Sequence, residues 1–176
     1  MRNKLRIIPV VFLLLIIVLS GCSMKSEEEA LTDAKQNALE AFNNKEKIET
    51  NHELNSFELY LPENLEVKEE SKSNVILEDG DQTYIVFYNN LEKPTSQLSY
   101  ESAKKEEALL MESFKDNNKF GYIRILSDKG DGYEMQVGIG GVKITTYTSK
   151  GKMDNDARAL MEISRSIAAT SEVAQK

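Results

Sequence analysis

The chain's only cysteine, Cys22, stands just after a long apolar run, and this arrangement limits what the remaining sequence can fold into. Arg2, Lys4 and Arg6 precede Ile7–Leu19, which holds Ile, Val, Leu and Phe interrupted only by Pro9. At a helical rise of about 1.5 Å per residue, this run reaches roughly 20 Å, short of the roughly 30 Å hydrocarbon core that a permanent span must cross. Basic residues retained on the cytoplasmic side, followed by a short apolar segment and small residues at Ser20 and Gly21, read as a cleavable signal peptide. If residues 1–21 are removed, 155 of the 176 residues remain, enough for one ordinary domain.

Leu19-Ser20-Gly21-Cys22 resembles the lipobox of bacterial lipoproteins. The resemblance implies cleavage between Gly21 and Cys22, a diacylglyceryl thioether and an N-acyl group on Cys22, and attachment to the cell membrane on its extracytoplasmic side. Two or more acyl chains hold a protein stably where one is marginal. The sole thiol is then consumed by lipid, so the mature fold has no disulfide to rely on. Residues 1–21 carry three basic and no acidic side chains, so their loss takes the formal net charge from −7 to −10. That sign argues against nucleic acid and against a polybasic membrane patch.

After the anchor, Ser26-Glu27-Glu28-Glu29 has the Ser-x-x-Glu spacing of a capping box, and Leu31, Ala34, Ala38 and Phe42 recur at helical intervals. So thin a stripe predicts a tether helix within residues 22–50 that stands as a spacer or docks lightly. A globular domain is expected over residues 51–170, with a polar tail at 171–176. Phe57–Leu61 alternates before Pro62 as a half-buried strand does, and Val75–Leu77 and Thr83–Tyr88 flank Asp79-Gly80 as a hairpin. Ser99–Phe114 shows a helical stripe of Ala103, Leu110 and Phe114, and Phe120–Leu126 returns to strand content. Tyr133–Ile139 and Val142–Thr148 form a second hairpin about Gly140-Gly141 after the glycine-rich turn at 128–132. A closing helix carries Ala157, Leu160, Met161, Ser164, Ile167 and Ala168, capped by Asp154 or Asn155. The expectation is an α+β fold: five to six mostly antiparallel strands with two long helices packed on them. The order is similar to the PsbP/Mog1-like group over Phe57–Pro62, Tyr133–Tyr147 and the helix around Leu160 and Ile167. That resemblance implies a binding or assembly module.

Residues suited to catalysis are sparse. His52 is the only histidine and sits beside Glu53, so no multi-histidine metal set and no Ser-His-Asp triad with a Gly-x-Ser-x-Gly elbow can be written. Asp79/Asp81, Asp128/Asp131 and Asp154/Asp156 place carboxylates near turns, but none matches the twelve-residue calcium loop, and turn or cap roles explain them. Gly138, Gly140 and Gly141 precede strand residues instead of a helix, which favours a hairpin over a phosphate loop. Tyr84, Phe87, Tyr88, Tyr122, Tyr133 and Tyr147 read as strand packing residues before a ligand face. The expected function is non-enzymatic and cofactor-free: a binding or accessory module for an unidentified protein or cell-envelope component. The alternatives are a carboxylate-dependent envelope hydrolase and a small-ligand carrier.

Overall fold

The computed structural model describes residues 25–104, 107–128, 130 and 132–174, with side chains as far as 170. Gly21, Cys22 and the apolar run before them lie outside the described residues. Helix α1 spans Glu27–Asn43, and the Ser26 hydroxyl accepts the Glu29 N–H at 3.1 Å, as the capping spacing predicts. Its buried stripe is Ala30, Ala34, Ala38, Ala41 and Phe42.

Of the two expectations for this helix, a free spacer or a docked helix, the docked one holds, and α1 is part of the body. Small side chains allow two helix axes to approach closely, and α1 lies along α3 (Met153–Ala174). Arg158 joins the two helices, donating to Asn37 at 2.7 Å and to Glu40 at 2.8 Å. Lys25 pairs with Asp33 at 2.6 Å and with Asp154 at 3.1 Å. The folded body therefore begins with α1 rather than near Asn51, and α3 continues as helix into the expected tail.

The remaining elements are β1 (His52–Glu53), β2 (Glu58–Leu59), β3 (Glu66–Glu70), β4 (Asn74–Asp79), β5 (Gln82–Tyr88), α2 (Leu98–Ala103), β6 (Leu110–Lys115), β7 (Phe120–Ser127), β8 (Gly132–Ile139) and β9 (Val142–Ser149). Strands β1 and β2 pair as a small separate sheet, so only Glu58–Leu59 of the expected Phe57–Leu61 run is strand. The other seven form one antiparallel sheet in the order β3-β4-β5-β9-β8-β7-β6. Both expected hairpins are present, with Gly80 at φ 57° and Gly140 at φ 55° supplying the left-handed turn residues. The architecture is α+β, with α1 and α3 on one face of the sheet.

Two features depart from expectation. The helix expected over Ser99–Phe114 is only the six-residue α2, and Leu110–Lys115 is strand β6, paired with β7 from Leu110↔Ile125 to Lys115↔Phe120. Leu110 and Phe114 fit a helical interval of four, but with Glu112 they also fit a strand interval of two. The four-residue turn to β7 decides between them. Strand β3 was not foreseen because four of its five residues are charged.

The core lies between the helices and the sheet. Val75, Leu77, Val86, Ile123, Ile125, Met135, Val137, Ile139 and Ile144 are fully buried, as are Met153, Leu160, Met161 and Ile167 of α3. The opposite sheet face is partly covered by α2, whose Tyr100 ring packs edge-on against Phe120 and Tyr122 at 5.2 and 6.0 Å. The body has two distinct ends. At one, Lys25 meets Asp154, Glu27 accepts from Tyr133 at 2.8 Å, and Gln82 donates to Asp156 at 2.9 Å. At the other lie the C-terminus of α1, the 116–119 turn and Gly140, whose N–H donates to Phe120 O at 3.0 Å.

The first end predicts an acid response. Burial alone would raise the Asp154 carboxyl, but Lys25 and the N–H of Asn155 outweigh it and hold Asp154 below its ordinary 3.8; Asp116 is lowered likewise. A depressed folded pKa contributes stability above the unfolded value that is lost as pH falls through the folded value. Thermal midpoints should therefore hold steady from neutral pH to about 5 and fall from about 4 downward. Asp154→Asn should flatten that fall in a calorimetric pH series, and an unchanged acid slope would contradict the assignment.

Candidate functional site

A cleft of about 570 Å³ opens at the end of the body remote from Lys25. Its walls come from four places distant in sequence: the segment Asn43–Ile48 leaving α1, Pro94 before α2, the 116–119 turn between β6 and β7, and the last turns of α3 at Arg165, Ala168 and Ala169. Each wall has a local cause. Asn44 ends α1 with its N–H on Glu40 O at 2.9 Å, and its side chain accepts the Glu46 N–H at 2.9 Å. Asp116 holds the β6–β7 turn by accepting the N–H of Asn118 at 2.8 Å and of Lys119 at 2.9 Å, an arrangement in which an Asx side chain replaces a backbone acceptor.

The cleft is rich in cations. Lys45, Lys47, Lys119 and Arg165 line it, against the carboxylates Glu46 and Asp116. Lys119 pairs with Asp116 and stands 4.3 Å from the centre of the Phe42 ring. Burial would raise Asp116, but the Lys119 ammonium and the two turn N–H groups outweigh it and keep the carboxyl below its usual range. Arg165 donates through Nη2 to Glu46 O at 2.8 Å, while its buried Nη1 has no hydrogen-bond partner among the described residues. Burial lowers the Arg165 pKa, and Glu162 partly offsets it. A buried donor left unmade costs on the order of 1–3 kcal/mol. Apolar atoms of Ile48, Pro94 and Ala168 complete the lining. The arrangement suits a ligand or partner segment that presents an anionic group beside an apolar one.

The residues singled out in the sequence lie elsewhere. His52 is on β1 and does not line the cleft. Among the described residues, no three His, Cys, Asp or Glu gather where they could hold a metal. Asp79 and Asp156 do line one pocket, of about 330 Å³, together with Lys152. Both carboxylates are already engaged there: Asp156 accepts from Gln82, Tyr84 and Thr148, and Asp79 accepts from Asn64 at 2.9 Å. Asp154 and Asp156 occupy the first turn of α3, where the partial positive charge of a helix N-terminus favours them. Asp128 is exposed at the end of β7, and Asp131 lies outside the described residues. Tyr84, Tyr88, Tyr122 and Tyr133 are buried packing residues, while Tyr147 is exposed and Phe87 lies 5.3 Å from the Lys143 ammonium. Gly140 serves the hairpin turn.

Sequence reasoning missed the cleft. Asn43–Lys47 holds no apolar residue and in sequence marks only where a helix ends, and no motif links Lys45, Lys119 and Arg165. The chain matches no family model, no curated protein and no solved structure.

Proposed function

We propose that the protein is a lipoprotein held at the extracytoplasmic side of the cell membrane through acyl groups on Cys22. Its α+β body acts as a non-enzymatic binding or accessory module for a protein or cell-envelope component. The Arg2–Cys22 segment supports the anchor, and the body supports the module. The observation that carries the binding role is the cation-lined cleft, placed at the end of the body away from the chain's emergence at Lys25. Binding there would offer Arg165 Nη1 a hydrogen-bond acceptor and cover the half-buried Ile48.

Cys22→Ser should abolish incorporation of labelled palmitate and leave the protein released or stalled as a precursor; unchanged labelling would refute the anchor. A photoreactive residue replacing Asn118, at the cleft, should capture a specific envelope component in cells, whereas one replacing the exposed Lys72 should not. Indistinguishable adduct patterns at the two positions would refute the module.

A further inference from the structure

Lys25 is held to the body by Asp33 and Asp154, Ser26 caps α1, and Ala30 is already fully buried. The fixed structure therefore starts within a few residues of Cys22. Three residue steps separate Cys22 from Lys25, a reach of at most about 11 Å. Residues 26–43 add no free spacer to that reach, because α1 lies within the helical layer.

We infer that the body rests directly against the membrane surface, with the end formed by Lys25, the Gly80-Asp81 turn and the 150–152 turn toward the headgroups and the cleft pointing away. This inference rests on the proposed lipid anchor. The 17 residues of α1 set the distance between the two ends at about 25 Å, at 1.5 Å per residue. The short leash fixes which end meets the lipid, since an acidic body on a long leash would be repelled from anionic headgroups and tumble beyond a Debye length of about 8 Å. Held as it is, only the end bearing Lys25 reaches the bilayer. The cleft faces outward, where a soluble or wall-bound partner is met.

The test uses the full lipidated chain. Because the Cys22 sulfur is in a thioether, an introduced cysteine is the only free thiol to label. Gly151→Cys places a fluorophore in the 150–152 turn, where a side chain meets nothing within 4 Å, and Asn117→Cys places one on the exposed turn beside the cleft. In vesicles of phosphatidylethanolamine and phosphatidylglycerol containing a headgroup-quencher lipid, position 151 should lose its emission and position 117 should keep it. Equal quenching, or none at either position in protein that floats with the vesicles, overturns the orientation. Protein that fails to float shows instead that the anchor itself is wrong, and the orientation falls with it. Inserting twelve Gly and Ser residues between Met24 and Lys25 should abolish the contrast between the two positions. A contrast that survives the insertion overturns the role of the short leash.

Discussion

Phe42→Ala is expected to cost about 3–5 kcal/mol of unfolding free energy, the range for emptying a fully buried aromatic site. Phe42 is 1% exposed and closes the last turn of α1 onto the sheet. Its ring lies 5.7 Å from that of Phe114 on β6, and Lys119 stands over it. It also occupies space that Gly121 of β7 leaves open: a Cβ there would come within 2.8 Å of the Phe42 ring. The pocket is thus shaped from both strands, and neither can follow a shortened side chain inward without breaking its ladder. A urea titration should show a lower midpoint with unchanged slope, the sign of lost stability without a change in exposed surface. Leu91→Ala, at a residue 87% exposed, should stay within about 0.5 kcal/mol. If Phe42→Ala matched Leu91→Ala, α1 would be an appendage after all.

The contrast explains which parts of the fold were legible. The hairpins β4–β5 and β8–β9 were, because β4 and β5 hold runs of β-branched and aromatic residues, β8 alternates, and each hairpin has a glycine where the turn requires positive φ. Helix α3 was legible from Leu160, Met161 and Ile167 recurring at helical spacing with Ala157, Ser164 and Ala168 between them. The docking of α1 was not, since Ala30, Ala34, Ala38 and Ala41 carry little hydrophobic weight and their value lies in letting α3 approach. Strand β3 forms an edge, and its charged residues, together with the bulge between Val67 and Glu69, blunt that edge against further pairing. Those same charges hide it from any reading by hydrophobic period. Strand β6 was ambiguous because Leu109, Leu110 and Met111 are consecutive, satisfying either period. The cleft was illegible for a different reason: Lys45 and Arg165 are brought together only by the α1–α3 packing, which the alanines conceal.

Gly138→Ala is expected to destabilise by about 3 kcal/mol, at the upper end for forced overpacking. A Cβ on Gly138 would lie 2.4 Å from the Val142 carbonyl oxygen and 2.8 Å from Cε1 of Tyr122. Neither neighbour can yield cheaply. Val142 begins the return strand of the Gly140-Gly141 hairpin and pairs with Ile139, so moving its carbonyl shifts the register of the turn. Tyr122 is 1% exposed, packs against Tyr100, and donates its hydroxyl to Gln136 at 2.9 Å. Burial raises that phenol well above its ordinary value, so expelling it to water at neutral pH sacrifices packing and the hydrogen bond without a compensating charge. Gly132→Ala supplies the comparison, because a Cβ there meets nothing within 4 Å and the backbone is not in the left-handed region. That substitution should be neutral or stabilise by about 0.4–1 kcal/mol through the unfolded chain. Loss of near-ultraviolet tyrosine dichroism should accompany Gly138→Ala but not Gly132→Ala. Equal denaturation midpoints for the two would show that the Tyr122 ring tolerates the methyl group and that the glycine serves only the strand's backbone.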